Sequence, residues 1–122
     1  MSARRRVLIE SPYAGDIEKH LRYARAAVKD CLDRGEAPFA SHLLYTQEGL
    51  LDDNDPVQRQ MGIDCGFIWG EQADASVIYI DLGMSEGMLA GVNEARETGR
   101  PIEYRSLPGW GLRKPVIEGE PQ

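Results

Sequence analysis

Apolar positions along this chain alternate between short runs and helix-spaced stripes. Val7-Leu8-Ile9 is a brief apolar run closed by the turn-rich segment Glu10-Ser11-Pro12-Tyr13-Ala14-Gly15. Asp16 follows as a helix N-cap. Ile17, Leu21, Ala24, Val28, Cys31 and Leu32 then recur at helical spacing until Gly35 supplies a stop. Ala37 to Ser41 predicts a second strand, with Pro38 near its start, where a missing N–H is tolerated. Thr46 to Asn54 is acidic and aperiodic, and predicts a loop. Asp55-Pro56-Val57-Gln58 joins an Asp cap, a Pro at the first helical position and a Gln three residues after the cap, which starts a helix running to about Trp69.

Ala75 to Ile80 is apolar with little alternation, as expected of a strand covered on both faces. A Gly-rich turn from Asp81 leads into a helix over Ser85 to Thr98, stopped at Gly99, and Pro101 to Tyr104 makes a last strand. Strands alternate with helices four times, so the chain predicts an α/β domain over residues 1–104 with a parallel sheet of four to five strands and right-handed crossovers. From residue 105 to 122 the sequence is rich in Pro and Gly and holds Trp110; this tail is expected to be flexible or to dock as an arm on a neighbouring subunit.

Composition narrows the class. The 122 residues suit one domain, with 42% hydrophobic and 28% charged residues. A formal net charge of −6 argues against general nucleic-acid binding, which needs a clustered basic surface. Arg4-Arg5-Arg6 reads as a short run that keeps the chain end solvated. No apolar stretch spans a bilayer and no signal peptide precedes Val7, so a cytoplasmic protein is expected. Cys31 and Cys65 fit buried free thiols, and two distant histidines offer no metal-ligand spacing, so neither metal nor cofactor is expected.

In an open parallel sheet, ligands sit beyond the carboxyl ends of the strands. That rule selects the loops 11–16, 41–45 and 82–86. Pro12, Tyr13, Gly15 and Asp16 belong to the first, with Tyr13 able to stack on a nucleobase. His42 stands at the rim of the second and can hydrogen-bond a ligand or move a proton near neutrality. Asp81, Ser85, Gly87, Met88 and Gly91 surround the third, where open N–H groups at a helix start can hold an anion or a hydroxyl. Arg59 offers charge to a phosphate. Asp64 points along the apolar stripe Val57, Met61, Cys65 and Ile68, so it is expected to be buried, either capping a loop or facing the cleft.

Taken together, the strand before Ser11-Pro12-Tyr13-Ala14-Gly15, then Ser41-His42-Leu43, Arg59, Asp64 and Ser85-x-Gly87-Met88 resemble the nucleoside 2-deoxyribosyltransferase-like superfamily, over about residues 7–104. The resemblance implies a flavodoxin-like three-layer sandwich (Rossmann-like in outline) and a homo-oligomer whose sites borrow residues from a neighbour. It implies a first loop that holds sugar and base, a Ser85/Gly87 region at the sugar or 5′-phosphate, and acid–base help from Asp64. The family's nucleophilic glutamate lies six residues after that serine. Here the position is Gly91.

A covalent glycosyl ester needs a carboxylate at the anomeric carbon, which glycine cannot supply. Glu94 is rotated about 60° from the required direction and Glu86 lies in the turn. The expectation is therefore a protein that binds, sequesters or senses a nucleoside- or nucleotide-derived molecule. The alternatives are a divergent N-glycosidase or deoxyribosyltransferase using Asp64, Glu86 or Glu94, and a purely structural oligomer.

Overall fold

Short β-rich runs bounded by turn residues form the strands, and capped amphipathic segments form the helices. In the computed structural model, which describes residues 4–110, the order is β1 (Arg6–Glu10), α1 (Ile17–Asp33), β2 (Ala37–Phe39), α2 (Ser41–Leu44), α3 (Pro56–Gly70), β3 (Ala75–Tyr79), α4 (Glu86–Thr98) and β4 (Ile102–Arg105). The strands form one parallel sheet in the order β2-β1-β3-β4. This is the expected flavodoxin-like α/β architecture.

Capping follows the sequence closely. Asp16 accepts the Lys19 N–H, Asp55 accepts the Val57 N–H, and Gly99 closes α4 in the left-handed conformation at φ 76°.

Strand alternation divides the sheet into two faces. Val7, Ile9, Val77 and Tyr79 pack with Tyr23, Ala27 and Cys31 of α1, while Ile78 packs with Met88 and Val92 of α4. Leu8 and Glu10 lie on the α4 face, because their register partners are Ser76 and Ile78. The chain thus covers one face through α1 and the other through α3 and α4. The change of side falls between β1 and β3.

α3 corrects one expectation. Val57, Ile68 and Trp69 are 72%, 62% and 59% exposed, and Met61 is exposed too, so the supposed core stripe faces outward. The buried side is a row of glycines. A Cβ at Gly66 would lie 2.6 Å from Ser41 Oγ, and one at Gly70 would lie 2.9 Å from Leu8 Cδ2. Close approach of the α3 backbone to α2 and the sheet sets the helix's rotation, and hydrophobicity does not.

The N-terminal arginines are also engaged. Arg5 bridges Glu36 and Glu103 at 2.7 Å each, and Arg4 donates to the Glu36 carbonyl at 2.8 Å. Buried Arg105 meets both Glu36 oxygens, at 2.8 and 2.7 Å, and Glu103 at 2.8 Å. Among the residues after β4, Leu107 is buried and Trp110 packs edge-on against Tyr23, with ring centroids 5.2 Å apart. The rest of the expected arm, residues 111–122, lies outside the described residues.

Candidate functional site

The first turn after β1, the start of α2, the inner face of α3 and the start of α4 converge on one cavity of about 330 Å³. It opens at the carboxyl edge of the sheet, where the connections change sides, as the crevice rule requires. Its volume falls in the range of about 300–1,000 Å³ common to small-molecule sites.

Several expected residues meet there. Tyr13, His42, Arg59, Ser85, Glu86, Gly87 and Met88 all line the cavity. Ser85 caps α4: its Oγ accepts the Met88 N–H at 3.2 Å, while Met88 Sδ accepts the Ser85 N–H at 3.4 Å. The Glu86 and Gly87 N–H groups fall in the first turn, where no intrahelical acceptor exists, and so suit an anion or hydroxyl. Arg59 has only a loose ion pair among the described residues, 3.8 Å from Nε to Asp53 Oδ1. Its charge is therefore little compensated at the cavity wall.

His42 is held against Ser11, with Nε2 2.5 Å from the Ser11 Oγ. Burial lowers its pKa to about 4, so the ring is neutral at pH 7. A neutral imidazole can donate or accept a hydrogen bond to a ligand but carries no charge to it. No carboxylate backs this Ser–His pair among the described hydrogen bonds, so the pair lacks the third member of a hydrolytic triad.

Other expected residues lie elsewhere. Asp64, expected in the buried stripe, is exposed on the outer side of α3 and accepts from Gln60 Nε2 at 2.9 Å. Glu94 pairs with Arg100 and does not line the cavity. Asp81 is buried but committed: its Oδ2 accepts from Tyr23 Oη at 2.7 Å and from the Leu107 N–H at 2.8 Å. It ties α1 and the segment after β4 to the end of β3. Pro12 is buried in its loop, and Gly15, at φ 96°, and the capping Asp16 position α1 away from the cavity wall.

Glu10 is the residue that sequence reasoning missed. It ends β1, lines the cavity and faces α4. A Cβ built on Gly91 would overlap the Glu10 carboxyl, with even Oε1 only 2.7 Å away. Burial pushes the Glu10 pKa up to about 8, against the lowering pull of the nearby Arg100 charge, and no hydrogen bond to a described residue contributes. The available signal is a lone acid ending an apolar strand on the face of Leu8, just before the turn. Ser11 and Ser41 of the resembling motifs also line the cavity, as do Asp53, Ile63 and Phe67.

A family model described as a domain of unknown function, DUF7768, matches residues 5–105. No curated protein is significantly similar to the chain. Among solved structures, a 2-deoxyribosyltransferase from the psychrotolerant bacterium Bacillus psychrosaccharolyticus is similar in fold, with a TM-score of 0.60 at 16% identity over 88% of this chain and 77% of that one. The chain belongs to the DUF7768 family, and its fold is distantly deoxyribosyltransferase-like.

Proposed function

We propose that the cavity at the carboxyl edge of the sheet binds a nucleoside- or nucleotide-derived small molecule. One observation carries this reading: four separate segments bring Tyr13, His42, Arg59, Ser85 and Gly87 around a single 330 Å³ space. Their chemistry suits the parts of a nucleotide. Tyr13 offers a ring to the base and His42 a neutral hydrogen-bonding group. The first turn of α4 receives ribose hydroxyls or a phosphate, and Arg59 supplies the matching charge. The deoxyribosyltransferase-like fold supports a nucleoside-type ligand as an analogy of architecture.

The outward apolar face of α3 supports a second element of the proposal, association with another copy of the chain. Val57, Met61, Ile68 and Trp69 are exposed along α3, more large apolar surface on one helix than monomers usually leave open.

The test is isothermal calorimetry with the common ribo- and deoxyribonucleosides and their 5′-monophosphates. The expected result is saturable heat for at least one compound, lost when Ser85 is replaced by Val. A flat response across the whole panel would refute the ligand reading.

A further inference from the structure

We infer that Glu10 is the reacting carboxyl of this cavity, attacking the anomeric carbon of a bound nucleoside from the place that Gly91 leaves open. The inference rests on the nucleoside reading above and adds the chemistry. The resemblance puts a nucleophilic carboxylate on α4 at position 91, where this chain has glycine. The missing side chain is matched by one arriving from the opposite wall: the Glu10 carboxyl fills the space where a side chain at 91 would begin. The strand thus supplies a carboxyl beside the position where the helix lacks one.

The surroundings separate Glu10 from a structural acid. Buried carboxylates kept for stability are hydrogen-bonded or paired. Glu36 illustrates this, held by Arg105 and Arg5. Glu10 has no such partner among the described residues and opens onto the cavity. The nearest compensating charge, Arg100, is directed to Ser76 Oγ at 2.9 Å, the Gly70 carbonyl at 2.8 Å and Glu94. Of the other acids on the wall, Asp53 faces Arg59 and Glu86 sits exposed in the first turn of α4.

The chemistry balances with water as the sole co-reactant. An ionised Glu10 oxygen bonds to C1′ while the C1′–N bond breaks, and its electron pair passes to the base nitrogen, which takes a proton from water. The hydroxide left behind attacks C1′ of the resulting ester. The C1′–O bond to Glu10 breaks, releasing the sugar and restoring the carboxylate. Because burial favours the protonated acid, the reactive fraction grows as pH approaches 8.

The test incubates the full chain with the deoxynucleosides of adenine, guanine, cytosine and thymine and their 5′-monophosphates, measuring free base by chromatography and binding by calorimetry. Release of base from at least one compound is expected, at a rate that rises with pH and levels off above about 8. Glu10→Gln, nearly the same in shape, should lower the rate roughly 100-fold or more. Its Kd for that compound should stay within about threefold. Glu10→Ala combined with Gly91→Glu returns the carboxylate to the helix and should recover part of the lost rate.

Base release by Glu10→Gln at the wild-type rate would overturn the inference. So would a wild-type rate that falls as pH rises through 8, a profile independent of any variant. Binding of an intact compound with no release would refute Glu10 chemistry and leave the ligand reading standing. Absence of both heat and release would refute both.

Discussion

The Glu10 carboxyl and Gly91 occupy complementary space: one side chain fills what the other lacks. Glu10 is fixed by the register of β1 against β3, and Gly91 lies on the buried face of α4. The contact therefore joins two elements that only the folded sheet brings together.

Steric coupling of this pair can be measured. Gly91→Ala should destabilise the protein by about 1–3 kcal/mol, the usual range for overpacking a filled site. The same change in a Glu10→Ala background should cost little, because the obstructing carboxyl is gone. A chemical-denaturation double-mutant cycle checks this, and additive effects would show that the two residues do not compete for space.

Stability should peak at mildly acidic pH. Glu10 is raised from 4.5 to about 8, so its contribution is full below 4.5 and is lost as pH rises through 8. The complete shift bounds that loss at roughly 5 kcal/mol, and the carboxyl's opening to the cavity reduces it. His42, lowered from 6.5 to about 4, contributes above 6.5 and loses that contribution as pH falls through 4. Glu36, held down to about 2 chiefly by its Arg105 hydrogen bonds, loses its share between 4.5 and 2. Thermal melts of wild type and Glu10→Gln should therefore converge near pH 4, with the variant the more stable at pH 9.

Arg105→Met tests the buried ion network. It would strip Glu36 of its bidentate partner, at a cost of about 3–5 kcal/mol, because a buried carboxylate would be left with only partial compensation. Adding Glu36→Gln should recover part of the loss. Urea denaturation of the single and double variants gives both values.

Arg59→Ala should weaken binding of a 5′-monophosphate by about 1.5–3 kcal/mol, the range for a charge-assisted hydrogen bond, and leave the parent nucleoside nearly unaffected. Calorimetry on the two compounds separates these outcomes. Equal losses for both would place Arg59 away from the phosphate.

Light scattering checks association through α3. A mass above that of the 13.6 kDa chain is expected. Replacing Val57 and Trp69 by Glu and Lys should return it to the monomer, since both side chains are largely exposed and their loss leaves no buried gap. An unchanged mass would refute this interface.

The candidate site was only partly legible in the sequence. Tyr13, His42, Ser85 and Gly87 follow strand ends, and a strand end in a parallel sheet already defines the binding edge. Asp64 was misplaced for a physical reason: the Val57–Ile68 stripe is apolar enough to suggest a core, but Gly62, Gly66 and Gly70 recur at four-residue spacing and turn the opposite face inward. Backbone approach outweighed side-chain hydrophobicity there. Glu94 reads as a candidate catalytic acid and Asp81 as a ligand-binding residue, but the fold engages them with Arg100, and with Tyr23 and Leu107, respectively.

By itself the sequence determined what is local: the caps at Asp16, Asp55 and Ser85, the strand–helix alternation, and from these the parallel sheet. These depend on neighbours a few residues apart, whose geometry the chain carries wherever it lies. Which acid faces the cavity depends instead on groups some 80 positions distant along the chain, as Glu10 and Gly91 are. Burial, pairing and shared volume exist only after the strands have taken their register, so the tertiary structure alone decided that Glu10 stands where Asp64 and Glu94 do not.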